Sequence, residues 1–148
     1  MTIFMQIFWG SVLLVACSFG HMLLLAAAIK LFRWLAMGEL ELRRTLGLLQ
    51  LMVIGFAFVL AAHTIQVWAW AVAFKILGAF DSFSDSIYFA MVTYTTVGYG
   101  DLVVGPNYRI FGAMAGVTGL LNFGLSTAFL VGLFERQLHW RPKPPPYP

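Results

Sequence analysis

Three long stretches of this chain pass without a single Lys, Arg, Asp or Glu: residues 3–29, 46–74 and 110–134. A helix needs about 20 apolar residues to cross the hydrocarbon core of a bilayer, and each stretch exceeds that. In lipid, backbone N–H and C=O groups must find partners within the protein, so such runs are expected to be helices. The composition agrees. Of 148 residues, 61% are hydrophobic and 10% charged, where a soluble domain has roughly half and a quarter. The expected fold class is an all-α membrane protein with three transmembrane helices. The first run lacks a basic leader and outruns the apolar core of a signal peptide, so it reads as a retained helix. Cys17, the single cysteine, has no intrachain disulfide partner and reads as a small buried hydrophobe. A net charge of +3 is too small to imply nucleic acid.

Between the second and third runs lies Thr95, Thr96, Val97, Gly98, Tyr99, Gly100 and Asp101. A dehydrated cation needs a cage of oxygens in place of its water shell. Backbone carbonyls supply one if a short stretch runs extended with its carbonyls turned the same way. L-residues resist that geometry at alternate positions, where glycine adopts it cheaply. Gly98 and Gly100 are at alternate positions, and Thr96 adds a side-chain oxygen at the inner end. Such non-helical backbone is tolerated at membrane depth only where protein buries it or it lines water. A short preceding helix is expected from about Ser82–Asp85 to Thr95, with Ser84 as its N-cap. Its C-terminus then abuts the loop and presents partial negative charge, favourable to a cation.

The five residues Thr96 to Gly100 resemble the selectivity filter of potassium channels, whose carbonyls replace the hydration shell of K+. The resemblance covers residues 46–134 in the order outer helix, pore helix, filter, inner helix. It implies K+ bound at Thr96, Val97, Gly98 and Tyr99, with Gly100 completing the filter and no other cofactor. Thr95, Tyr88 and Asp101 would support it. One filter per chain implies a homotetramer around a single pore. A glycine at the place of Gly119 acts as a gating hinge in such proteins, although glycine in a membrane helix also serves close packing. Helical spacing from Gly119 puts Leu120, Phe123, Thr127 and Val131 on one stripe, which the resemblance assigns to the aqueous cavity. Asn122 lies off that stripe and is expected to bond a neighbouring helix. The intact Tyr99 and Gly100 argue against a nonselective channel, and no enzyme constellation is present.

Several residues depart from the family pattern. Tyr88 and Phe89 stand where many relatives have two tryptophans. Tyr88 keeps a donor within reach of Asp101, whereas Phe89 has none for Tyr99. Val92 replaces a glutamate found behind the filter in some relatives. Val103 replaces an aromatic at the outer mouth.

Lys30, Arg33, Arg43 and Arg44 lie in the first link, and Arg136, Arg141 and Lys143 in the tail. The positive-inside rule puts both in the cytoplasm and the N-terminus outside the cell (plasma or inner) membrane. The expected organisation is an extra N-terminal helix over 1–32 and a cytoplasmic link over 33–45. A pore domain follows over 46–134, then a cytoplasmic Pro-rich tail over 135–148. The link has room for an interfacial helix with Trp34, Leu35 and Leu42 toward lipid. Trp34 and Trp140 are expected at the inner interface, and Trp9 and Trp70 at the outer one. Gly10, Cys17 and Gly20 are expected to pack the first helix on the outer helix. No span carries arginines at voltage-sensor spacing. His63 and Gln66, spaced i, i+3, have two readings: a pH-sensitive site or a hydrogen bond to the pore helix. The tail around Pro144 and Tyr147 reads as a stiff polyproline segment or a WW-type ligand.

Overall fold

The computed structural model describes residues 1–37 and 44–138. Four α-helices follow one another: α1 Ile3–Met37, α2 Arg44–Ile76, α3 Phe83–Tyr94 and α4 Arg109–Leu138. A short 3-10 turn, Pro106–Tyr108, leads into α4. Three helices are long and apolar enough to cross a membrane, over Ile3–Trp34, Met52–Ile76 and Pro106–Glu135. Each helix continues beyond its uncharged run, because the flanking charges lie in the polar headgroup zone. The first helix continues to Met37, so no separate interfacial helix begins at Arg33. The rest of that link, with Leu42, and the tail with Trp140 lie outside the described residues.

The short helix α3 starts at Phe83, within the expected Ser82–Asp85 window, but its cap lies two residues before the expected one. Ser82, not Ser84, is the N-cap, and its hydroxyl accepts from the amide of Asp85 at 2.9 Å. Ser82 has an acidic residue three places on, inside the first turn, where the helix dipole favours negative charge. Ser84 lacks one, since Ile87 stands there. At the far end of α2, Gly78 takes φ +70°. The amide of Ala79 reaches back to the Phe74 carbonyl and that of Gly78 to Lys75. This left-handed cap stops α2 and turns the chain toward α3.

The helices run alternately. Gln6 of α1 is buried, and its Oε1 accepts from the amides of Ile110 and Phe111 at the start of α4. The N-termini of α1 and α4 therefore share one membrane side. The C-terminus of α2 is on that side too, where Tyr108 donates to the Leu77 carbonyl at 2.7 Å. Unlike the expected packing of the small residues on the outer helix, Gly10 gives room to the Met114 side chain of α4. Gly20 has no neighbour where a Cβ would point, and Cys17 is buried in the core.

That core is largely aromatic. Trp70, Phe74, Phe89 and Phe111 form a chain of ring contacts with centroids 5.1–5.5 Å apart. Trp70 is fully buried and so does not belong to an interfacial belt. It lies one turn from both Gln66 and Phe74 on the inward stripe of α2. Trp68, Trp9 and Trp34 are the exposed tryptophans among the described residues.

Candidate functional site

The last turn of α3 organises the segment that follows it. A helix end leaves its final carbonyls without intrahelical partners. Here the amides of the next residues take them. Thr95 donates from its amide to Met91 O, Thr96 to Thr93 O, and Val97 and Gly98 both to Val92 O, at 3.0–3.2 Å. The Thr95 hydroxyl also donates to Met91 O at 2.7 Å. These peptides are trans, so each amide turned toward α3 directs the preceding carbonyl the opposite way. The carbonyls of Thr95, Thr96 and Val97 accordingly point away from the helix.

The φ angles explain how the strand sustains this arrangement. Thr96, Gly98 and Gly100 have φ of +60°, +57° and +79°. Left-handed residues alternating with ordinary ones gather amides on one face of a short segment. The sequence pointed to Gly98 and Gly100 but not to Thr96, a β-branched residue in a conformation such residues avoid. Strain of about 1–3 kcal/mol at such a residue persists only where the surroundings enforce it. The amides of Thr96 and Val97, both tied to α3, supply that enforcement.

At the outer end, Tyr88 donates to Asp101 Oδ2 at 2.6 Å, and the Leu102 amide donates to Oδ1 at 3.0 Å. The Tyr88 bond holds the Asp101 carboxyl below its ordinary value. It raises the Tyr88 phenol in turn, because the donated proton is stabilised. Phe89 is buried among Phe74 and Phe80 and contributes packing alone.

A family model described as "Ion channel" matches residues 51–136, more than half of the chain. The chain belongs to the potassium channel family. It is 40% identical over 57 residues to the potassium voltage-gated channel protein shk-1 of Caenorhabditis elegans, covering 38% of this chain and 11% of that protein. It is 36% identical over 61 residues to potassium voltage-gated channel subfamily A member 10 of Mus musculus and of Homo sapiens, covering 40% of this chain and 12% of each. The matched segment is thus a small part of these longer relatives. No solved structure matches the chain. The family match leaves α1 outside it.

In this potassium channel family member, residues Thr95 to Gly100 are exposed on the single protomer, as are Val103, Leu120, Phe123, Thr127 and Val131. Phe123 is only partly open, since its ring stacks on His63 at 4.3 Å. Gly119 lies against the end of α3: a Cβ there would collide with the carbonyl oxygen of Tyr94. The helix continues unbroken through Gly119. Close packing therefore accounts for this glycine in the conformation seen.

Sequence reading found only parts of a buried polar cluster behind the Thr96–Gly100 segment: the bonds of His63 and Gln66 to α3, and that of Asn122 to a neighbouring helix, are both present. His63 and Gln66 of α2 meet Tyr94, the last residue of α3, and Asn122 and Ser126 of α4. His21 of α1 joins them through Gln66 and Ser126. The signal was present, because a polar residue inside an apolar run is a candidate for function. What the sequence lacked was register. Nothing in it says that residues 21, 66, 94 and 126 share one membrane depth.

Proposed function

We propose that this protein is a potassium-selective channel in which the carbonyls of the Thr96–Gly100 segment replace the hydration shell of K+. The observation that carries this reading is the alternation of left-handed φ at Thr96, Gly98 and Gly100. With the amides of Thr96, Val97 and Gly98 tied to α3, it leaves carbonyls to face an ion. K+ would bind at Thr96, Val97, Gly98 and Tyr99 as cargo. The pore helix C-terminus adds partial negative charge on the same side.

Four chains are needed to complete the pore. Exposed non-helical backbone cannot face lipid, and one chain offers only one wall of a cage. A homotetramer would turn the exposed faces of Val97, Tyr99 and Val103 toward neighbouring chains and the axis. Leu120, Thr127 and Val131, with part of Phe123, would line the cavity below. Residues 46–134 form the pore domain in this reading. The protein sits in the cell membrane with the N-terminus outside and the tail in the cytoplasm, on the Lys and Arg distribution.

Purified protein in liposomes tests the reading. A K+ gradient should drive flux that an equal Na+ gradient does not. Equal flux of the two ions would overturn it.

A further inference from the structure

The polar cluster behind the filter closes on itself. With the Gln66 amide oriented by its contacts, Tyr94 donates to Gln66 Oε1 at 2.8 Å, as does Asn122 from its amide. Gln66 Nε2 then donates to His21 Nδ1 at 2.7 Å. An imidazole that accepts at Nδ1 and is neutral donates at Nε2, here to Ser126 Oγ at 2.9 Å. The Ser126 hydroxyl passes its own proton to His63 Nε2 at 3.0 Å. His63 Nδ1 donates to Tyr94 Oη at 2.9 Å, and the circuit is complete. Within the circuit, five side chains from α1, α2, α3 and α4 each give one bond and receive one, and Gln66 accepts a further bond from Asn122 outside it. Within an apolar core each such atom is costly to leave unpaired.

We propose that His21 is a positioning residue for the filter. Through this ring the first helix, which lies outside the family match, holds Tyr94 and so the end of the pore helix. Tyr94 is fixed at both ends. Its hydroxyl is in the ring, and its carbonyl rests on Gly119. The turn that Tyr94 ends carries the carbonyls of Met91, Val92 and Thr93, from which the amides of Thr95 to Gly98 hang. A shift of Tyr94 therefore shifts the anchor of the filter backbone. His21 acts through its bonds to Gln66 and Ser126 and through its ring contact with His63, with centroids 5.0 Å apart. This inference rests on the reading of Thr96–Gly100 as a potassium filter.

The experiment is flux in liposomes with His21→Leu, Ser126→Ala, Tyr94→Phe and the double variant His21→Leu/Tyr94→Phe. The unmodified protein decides the filter reading first, by preferring K+ to Na+. Given that preference, each single variant should lower the K+ to Na+ permeability ratio about ten-fold, the scale of one lost buried hydrogen bond. The double variant should be no worse than the more severe single, because both open the same ring. Val15→Ala, at an exposed position of α1, should change nothing. If His21→Leu does not assemble, Ser126→Ala decides the matter, since it removes one oxygen and leaves the His21–Gln66 bond. A wild-type permeability ratio in the assembled ring variants, whatever their thermal stability, would reduce the ring to packing and overturn the inference. So would effects of His21→Leu and Tyr94→Phe that simply add.

Discussion

The two ends of the candidate filter are held by different means. At the inner end Tyr94 is buried, and its hydroxyl belongs to a closed ring reaching all four helices. At the outer end Asp101 is exposed and held by Tyr88 and the amide of Leu102, all within a few turns of sequence. Breaking a buried bond leaves unpaired polar atoms that water cannot reach, whereas an exposed pair exchanges for water at little cost. The inner end is thus set by the fold as a whole. The outer end answers to solvent conditions.

The sharpest way to break this comparison is at Gly119. A methyl group there meets a backbone oxygen that cannot rotate aside. Gly119→Ala should cost about 1–3 kcal/mol or more per subunit, read as a fall in melting temperature or failure to assemble. If the variant melts normally and only its open probability changes, Gly119 is a hinge and the inner end is less crowded than described. Gly98→Ala comes next. Placing an L-residue at φ +57° should add about 1–2 kcal/mol of strain per subunit. Assembly should survive while selective K+ flux is lost, and normal selective flux would remove Gly98 from the filter.

Tyr94→Phe and Tyr88→Phe compare the ends directly. The first should lower stability by about 1–3 kcal/mol, by stranding His63 and Gln66. The second should leave the melting temperature unchanged and alter sustained current with K+ preference kept. Equal melting shifts in the two would dissolve the distinction.

At the outer end acid should act through Asp101. The Asp101 carboxyl is held low by the Tyr88 bond. Its contribution is present at neutral pH and lost as pH falls through that depressed value, below the ordinary carboxylate range. Without the phenol the carboxyl titrates higher, so the acid midpoint of current loss should move up in Tyr88→Phe. An unmoved midpoint would detach that current loss from Asp101. The smallest effect concerns Val103, exposed beside Asp101. Valine offers no π face, so external tetraethylammonium should block weakly and Val103→Tyr should tighten the block. Unchanged block would take Val103 away from the outer mouth.

The three spans and the loop between the second and third were legible because their signals are local. An uncharged run long enough for a bilayer has essentially one solution in lipid, and glycines at alternate positions declare a backbone need wherever the chain goes. Asp101 and Tyr88 were legible as a pair for a related reason: the short helix and the loop after it leave them few relative placements. The pore helix cap was misplaced by one serine choice, because Ser82 and Ser84 both suit the role and only the acidic residue three places on separates them.

Interhelical register was not legible. Gln6 on the first turn of α4, Met114 beside Gly10 and the ring through His21, Gln66, Tyr94 and Ser126 each join residues far apart in sequence. The rotation and depth of one apolar helix against another leave little trace in chains that are hydrophobic almost all round. Trp70 shows the same limit, since its burial depends on which face of α2 turns inward. Sequence by itself determined that the chain has spans fit for a membrane and a segment resembling a potassium-channel filter, because both are properties of short contiguous segments. Only the tertiary structure decided what stands behind that segment, because a hydrogen bond between helices exists only when their faces meet at the same depth.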